Sequence, residues 1–473
     1  MKWSLVAVSV VLVALAALVV AIERVNVLPR RLAAYIEHRA SGHRTAIERA
    51  GRIAARALLA VDRGRRGVAY LLPVPSMRTA AAVGEDPAPR ARVVLVTTAS
   101  QAREAIENAE PRDAITFLPG TYRFDGSYIA VLHPGTPLAP IVVRAAGPGS
   151  ARLEFNLIEG FLVSAPYWSF ENLDIRGICR AHADCEHAFH VAGGGEHFTA
   201  RHNTIVDFNA HFKINGNGTT YPDWGVIEDN VITNTAVRDT GNPVTPIDLV
   251  AASHWRIRGN RISDFVKGQS DRISYGAFAK GAGSDNRFER NVVVCEERLR
   301  DSPGQRVGLS LGGGGSADAA CRGGRCIVEQ ERGVIASNLI AACSDDGIYL
   351  NRAAMSAVTH NTLVDTGGIT ARYGETSADV EGNLVDGPIR DFGGAAIHAR
   401  DNFAARLIEL YVGLHRVRDL FVDAGALDLR WREKPPRRAA GTRVPPGLCG
   451  KARSGQPAYG AFDDITRCAV TPG

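Results

Sequence analysis

Lysine is scarce in this chain of 473 residues: six lysines stand beside 49 arginines. Cysteine is sparse as well. Eight in this length exclude a small scaffold held by cross-links in place of a core. Charged residues make up only 22% and apolar ones 45%, which excludes a disordered polymer. Basic charge is missing from most of the chain despite a net charge of +5. Residues 1–66 hold Lys2 and eleven arginines against four acids, so the remainder is slightly acidic. A nucleic-acid groove needs clustered Lys and Arg on the folded body, and none is present, so no nucleic-acid partner is expected.

What is there begins with one uncharged apolar run at residues 3–22, long enough to cross a bilayer as a helix. It reads as a membrane anchor over 1–23, with a cleaved signal left open because Val19-Val20-Ala21 resembles a cleavage site. Residues 24–66 read as a basic helical stalk, with a helix lying on anionic headgroups as the alternative. Pro73, Pro75, Pro87 and Pro89 mark a linker over 67–90.

From residue 91 short β-rich segments recur, each followed by Asn and an aliphatic pair: Asn172, Asn203, Asn230, Asn260, Asn291, Asn338, Asn361, Asn383 and Asn402. Most spacings are 19–31 residues, and the one large gap holds a Gly-rich insertion. A period of this size built from strands indicates a β-solenoid. The expected fold is a right-handed, single-stranded parallel β-helix over 91–402. Gln101–Asn108 would cap its first coil, and residues 403–473 would form a cap and irregular tail. Corner asparagines would tolerate left-handed backbone and hydrogen-bond their copies on neighbouring coils.

The repeat lets strands be laid over one another: Phe161–Ser164, Phe189–Ala192, Phe212–Asn215, Ile247–Val250, Ala277–Lys280, Leu309–Gly312, Ile348–Asn351, Ile369–Arg372 and, in the loosest register, Ala396–Ala399. First and third positions are apolar and point inward. The second positions read His190, Lys213, Asp248, Phe278, Ser310, Tyr349 and Thr370. The fourth read Asn215, Lys280, Gly312, Asn351 and Arg372. A polar strip along a cylinder suits an extended polymer, although a solvated face is also a solenoid's ordinary state. Lys280 stands out because surface charge here is otherwise supplied by Arg, and Lys can serve as a base where Arg almost never does.

Several stretches resemble the opening of the chondroitinase B and alginate lyase group of parallel β-helix polysaccharide lyases. They are Val94–Ala102 with Thr97 and Ser100, Ala109–Ile115, Pro119-Gly-Thr-Tyr122 and Pro140–Ala145. The resemblance implies cleavage beside a uronic acid by β-elimination. A Lys would be the base at C5, an Arg would stand on the next coil, and calcium would be held by Asn and Glu. Lys280, followed by Asn286 and Asn291, matches the catalytic-lysine segment. Gly312 stands where the arginine belongs, and Ile273–Tyr275 where the acidic ligands belong. Calcium is therefore implied by resemblance without ligands found for it. Arg352 or Arg372 would supply the guanidinium from one or two coils beyond Gly312, and Tyr349 would protonate the leaving oxygen. His190, Lys213, Asn215, Asp248, Asn351 and Tyr373 would bind substrate.

Asp345-Asp346-Gly347 reads as a turn, because the other motifs of β-helix pectin hydrolases are missing. The cluster Cys179–His187 offers possible metal ligands but fits no common zinc spacing, and a loop disulfide accounts for both cysteines. Cys321–Cys326 and Cys449–Cys468 form similar local pairs, while Cys295 and Cys343 would stack unbonded in the core. Close, even-numbered cysteines suit an oxidising compartment, hence a periplasmic domain on an inner-membrane anchor, or a secreted one. Gly312–Gly315 lacks the Lys of a phosphate loop. The expected function is a polysaccharide lyase acting on an acidic, uronate-containing polymer. The alternatives are a non-catalytic polysaccharide-binding or surface-structural protein, and a uronan C5-epimerase. Oligomeric state has no signal in the sequence.

Overall fold

The computed structural model describes residues 20, 22–24, 26–64, 92–313, 316–439, 444–453 and 455–468. From Arg92 to Ala404 the chain winds as a parallel β-helix, its successive turns feeding three parallel sheets of 12, 11 and 10 strands. The inward positions of the ten-stranded sheet are fully buried in every strand but the last. Phe161, Phe189 and Phe212 stack at 5.2 Å between ring centroids, and Ile247, Leu309, Ile348 and Ile369 continue the column. Offset aromatic stacking adds to area burial in such a column.

The asparagines form a ladder from Asn203 to Asn402, buried as far as Asn383. Each side-chain oxygen accepts from the backbone N–H and the side-chain amide of the Asn one coil before it, as Asn260 does from Asn230 and Asn291 from Asn260, all at 3.0 Å. The left-handed backbone belongs to the preceding residue instead: His202, Asp229, Arg290, Ser337, His360 and Asp401 have φ between 49° and 58°. The Asn itself must aim its amide along the cylinder axis, so the corner is turned one residue earlier. Asn172 is one residue out of register, and Leu173 N–H makes the first bond to the ladder, at Asn203.

Helices α1 (Pro29–Ala40), α2 (Thr45–Arg63) and α3 (Ala99–Glu107) precede or open the coil. Helix α3 starts at Thr98, whose hydroxyl accepts from the Gln101 N–H, and buries Ala102 and Ile106 in the main core at the first coil. The segment expected as a stalk is docked instead. Arg30 is 3% exposed, donates to the Cys343 carbonyl at 2.8 Å and pairs with Asp62 of α2 at 2.7 Å. Arg31 bonds Asp345 and Asp346, each at 2.7 Å. The weakly apolar helices hold the coil through arginines, which apolar periodicity does not register. The apolar run at 3–22 and the linker at 67–90 lie almost wholly outside the described residues. Among the described residues no helix is long and apolar enough to cross a membrane.

Three further expectations change. Ile389–Phe392 is the last strand of the ten-stranded sheet, while Ala396–Arg400 lies one corner later in the 12-stranded sheet. The last coil has no neighbour beyond it, so its third position, Asp391, is exposed and breaks the apolar pattern. Cys295 and Cys343 are bonded, stapling adjacent coils, and the three local pairs are bonded too. The tail covers the flank of the cylinder. Val417, Phe421, Leu429, Leu448 and Phe462 cluster on Val292, Leu339, Val364 and Leu384 of the 11-stranded sheet. A short helix α4 (Leu407–Tyr411) packs on Leu28.

Candidate functional site

The outward face of the ten-stranded sheet carries the strip the alignment produced. Backbone pairing links His190 to Lys213, then Asp248, Phe278, Ser310, Tyr349 and Thr370, and ends on Arg390. Alternation places these side chains together on one face, one coil apart. They fall into three groups.

The first group is a closed polar network. Glu159 Oε1 accepts from His190 Nδ1 at 2.8 Å, and His190 Nε2 faces Asn215 Oδ1 at 2.9 Å. The hydrogen bond from His190 holds the Glu159 carboxyl below its usual range. Lys213 Nζ donates to Asp248 Oδ2 at 2.8 Å. His187 lies 5.6 Å from the His190 ring, and burial pushes it down to about 4, so it is neutral near pH 7.

The second group surrounds Lys280. Among the described residues its ammonium has no carboxylate partner, whereas Lys213 and Lys267 are both ion-paired. It sits 4.5 Å over the Phe278 ring. Gly313 lies against its stem: a Cβ there would come within 3.0 Å of Lys280 Cδ. The insertion after Gly313 folds back, closed by Cys321–Cys326, and brings Arg322 to this coil. The Arg322 N–H donates to the Gly281 carbonyl at 2.9 Å. Its guanidinium stacks 4.1 Å over Tyr221, donates to the Ala251 carbonyl and pairs with Asp223.

The third group is centred on Tyr349, two strands further on and about 10 Å along the axis, and reaches back to Tyr275 at the other end of the strand that carries Lys280. Here a cleft of about 480 Å³ is walled by Tyr275, Tyr349, Arg372 and Phe392, by Asp345 and Asp346, and by Asn26, Val27 and Arg31 of the amino-terminal segment. Asn351 Nδ2 donates to the Tyr349 hydroxyl at 3.1 Å. Arg352 and Arg372 stand 5.4 and 5.1 Å from the Tyr373 ring. Burial raises the Tyr349 hydroxyl, partly offset by Arg372, so it is a neutral hydrogen-bond donor. Burial likewise raises Tyr275. Asp346 is also raised by burial. Arg31 and Arg390 oppose this, and Thr370 donates to it at 2.8 Å. The acidic pair read as a turn therefore anchors the docked segment.

The four residues expected to act together are thus split. Tyr349 and Arg372 share the cleft, with Arg352 and Tyr373 stacked beside it. Lys280 does not line it. Sequence reasoning missed Arg322 and Tyr221, for which the close pair Cys321 and Cys326 is a signal of a folded-back loop. It missed Glu159 and Tyr275, which extending the strand alignment by two residues toward the amino terminus would have included. Nothing in the sequence marked Asn26, Val27 or Arg31, which reach the cleft by docking.

The residues near Lys280 do not suit a calcium ion. Glu329 accepts from the Gly281 N–H at 2.9 Å and from the Ser316 hydroxyl at 2.9 Å, and Asp248 is paired with Lys213. Hard cations take six or more oxygens. Among the described residues no three acidic, His or Cys side chains cluster as ligands. In the Cys179–His187 segment both sulfurs are consumed by their disulfide.

Among solved structures the chain is similar to pectate lyase Pel9A, with a TM-score of 0.52 and 16% identity over 79% of this chain and 96% of that one. It also aligns with an alginate lyase from Paenibacillus sp. str. FPU-7, with a TM-score of 0.31 and 13% identity over 67% and 99%. A rhamnogalacturonan lyase aligns with a TM-score of 0.37 and 13% identity over 65% and 80%. The structural neighbours are thus parallel β-helix polysaccharide lyases, and at these identities the likeness is one of fold. No family model matches the chain, and no curated protein matches it in sequence.

Proposed function

We propose that this protein is a carbohydrate-active β-helix enzyme that cleaves an acidic, uronate-containing polysaccharide by β-elimination. The observation that carries the reading is Lys280, which has no carboxylate partner among the described residues, set in a strip of polar and aromatic groups. The polymer lies along the strip, roughly one sugar unit per ~4.8 Å coil. Lys280 takes the proton from C5. The electron pair forms the C4–C5 double bond, and the C4–O bond breaks. The proton returns from the Lys280 ammonium to the leaving oxygen, because Tyr349 stands about 10 Å away, too far to serve the same bond. Arg322, brought in by the insertion, takes the part of the guanidinium absent at Gly312 and faces the uronate carboxylate. Arg372 and Tyr349 hold units further along, and Tyr275 flanks the chain from the other end of the strand that carries Lys280. The first polar group, His190, Asn215, Lys213 and Asp248, meets the units on the other side.

A binding-only protein is the second reading, favoured by the commitment of Arg322 to Asp223. Both readings are separated by unsaturated-product absorbance on alginate, polygalacturonate and glycosaminoglycans. Lys280→Ala is expected to lower the rate at least 100-fold, with Lys280→Arg equally inactive. Unchanged cleavage by Lys280→Ala sinks the assignment. Exchange of the C5 proton with solvent without chain scission would instead identify an epimerase.

A further inference from the structure

Resting on that reading, we infer that the strip is closed at its carboxy-terminal end and receives the end of a uronan chain, so that the enzyme releases short products from chain termini. From His190 to Tyr349 the strip keeps part-exposed side chains at His190, Lys213 and Tyr349, and the amino-terminal segment lies only over its far end, where Asn26 and Val27 wall the cleft. At the last two coils protein fills the outward position. Arg390, 4% exposed, lies on Thr370 and donates to its hydroxyl at 2.9 Å, to Asp346 at 3.2 Å and to the Asn26 carbonyl at 3.2 Å. A polymer passing Tyr349 therefore meets Asn26, Val27 and Phe392 head-on.

This wall is anchored from behind. Leu28 is fully buried with Leu407 and Leu410, and the Tyr411 hydroxyl donates to the Val27 carbonyl at 2.9 Å. Arg31 holds the same segment to Asp345 and Asp346. An ordinary surface segment would not be pinned at four points around a cleft.

The chemistry at the closed end suits an acidic terminal unit. Three guanidiniums, of Arg31, Arg372 and Arg390, surround the cleft against two carboxylates, leaving it net positive. Arg31 and Arg390 are engaged by Asp345 and Asp346. Arg372 is exposed and makes no ion pair among the described residues, so its guanidinium is the group available to a uronate carboxylate. Tyr275 and Tyr349 offer aromatic faces and hydroxyls to the sugar ring. From Lys280 to the wall there is room for about two to three units at ~4.8 Å each.

The test is a time course with the full-length protein on alginate, polygalacturonate and chondroitin sulfate, with products resolved by mass. Unsaturated di- and trisaccharides should appear alone from the first time point. A ladder of long unsaturated oligomers at early times would overturn the closed end while leaving the lyase reading intact. If no polymer yields unsaturated product, the lyase reading fails, and binding then decides the closed end. Hexauronates carrying a bulky fluorophore at the reducing or the non-reducing terminus are titrated separately. A closed end requires one of the two to bind at least ten-fold more weakly. Equal affinities, or no binding of either, would overturn it.

Discussion

Removing one charge should detach the amino-terminal hairpin without unfolding the coil. Arg30 is the group to change. Its Nε and Nη2 bond both oxygens of Asp62 at 2.8 and 2.7 Å, its own N–H bonds Asp62 at 3.0 Å, and both side chains are at most 1% exposed. In Arg30→Met the Asp62 carboxylate stays buried with no cationic partner, a defect that costs about 3–5 kcal/mol. Undocking exposes Asp62 to water and removes the defect, so the loss falls on the docking equilibrium and not on the β-helix. At about 1.4 kcal/mol per factor of ten, the undocked fraction should rise about a thousandfold. Hydrogen exchange read by mass spectrometry reports this directly. Amides in 29–63 should exchange faster by about that factor, while those of the asparagine ladder keep their rates. Arg30→Met with Asp62→Leu should restore most of the protection, since a buried pair can often be replaced by apolar groups of similar volume. If wild-type amides in 29–63 already exchange as freely as a stalk in water, or if Arg30→Met leaves them unchanged, the docked geometry is wrong.

Acid should destabilise the protein from just below neutrality. Burial lowers His187, His211 and His360 to about 4 each, below the unfolded value of ~6.5. Their stabilising contribution is complete above about pH 6.5 and is lost as pH falls toward 4, each adding a slope of up to ~1.4 kcal/mol per pH unit. The urea midpoint should therefore drop steadily between pH 7 and 4, and a flat profile would refute it. The Cys295–Cys343 disulfide encloses 48 residues of sequence and should be worth about 4 kcal/mol by loop closure. The paired change to alanine there should lower the denaturant midpoint more than the same change at Cys321 and Cys326, five residues apart. Equal losses would count against the loop-closure account.

The expectation that positions 161, 189, 212 and their successors share one inward column came from alternation alone, and the observed register agrees strand by strand up to Arg372. It failed only at the last coil, where Asp391 has no neighbour to face. The candidate site was legible to the same extent. The strip from His190 to Thr370 follows from the repeat, since a column needs only correct register. Its division into separate groups does not follow, because the sequence carries no measure of distance between Lys280 and Tyr349 until the coils are counted.

Local pattern decided what repeats: the stacked coil, its apolar column and the asparagine ladder. Each unit meets a copy of itself, so the information is present in every period. Only the tertiary structure decided what does not repeat. Arg30, Arg31 and Asn26 meet partners more than 300 residues away, Arg322 returns on a disulfide-closed loop, and Cys295 finds Cys343. Such contacts depend on where whole segments dock, which is set by charge and shape complementarity between distant surfaces and leaves no periodic trace in the chain.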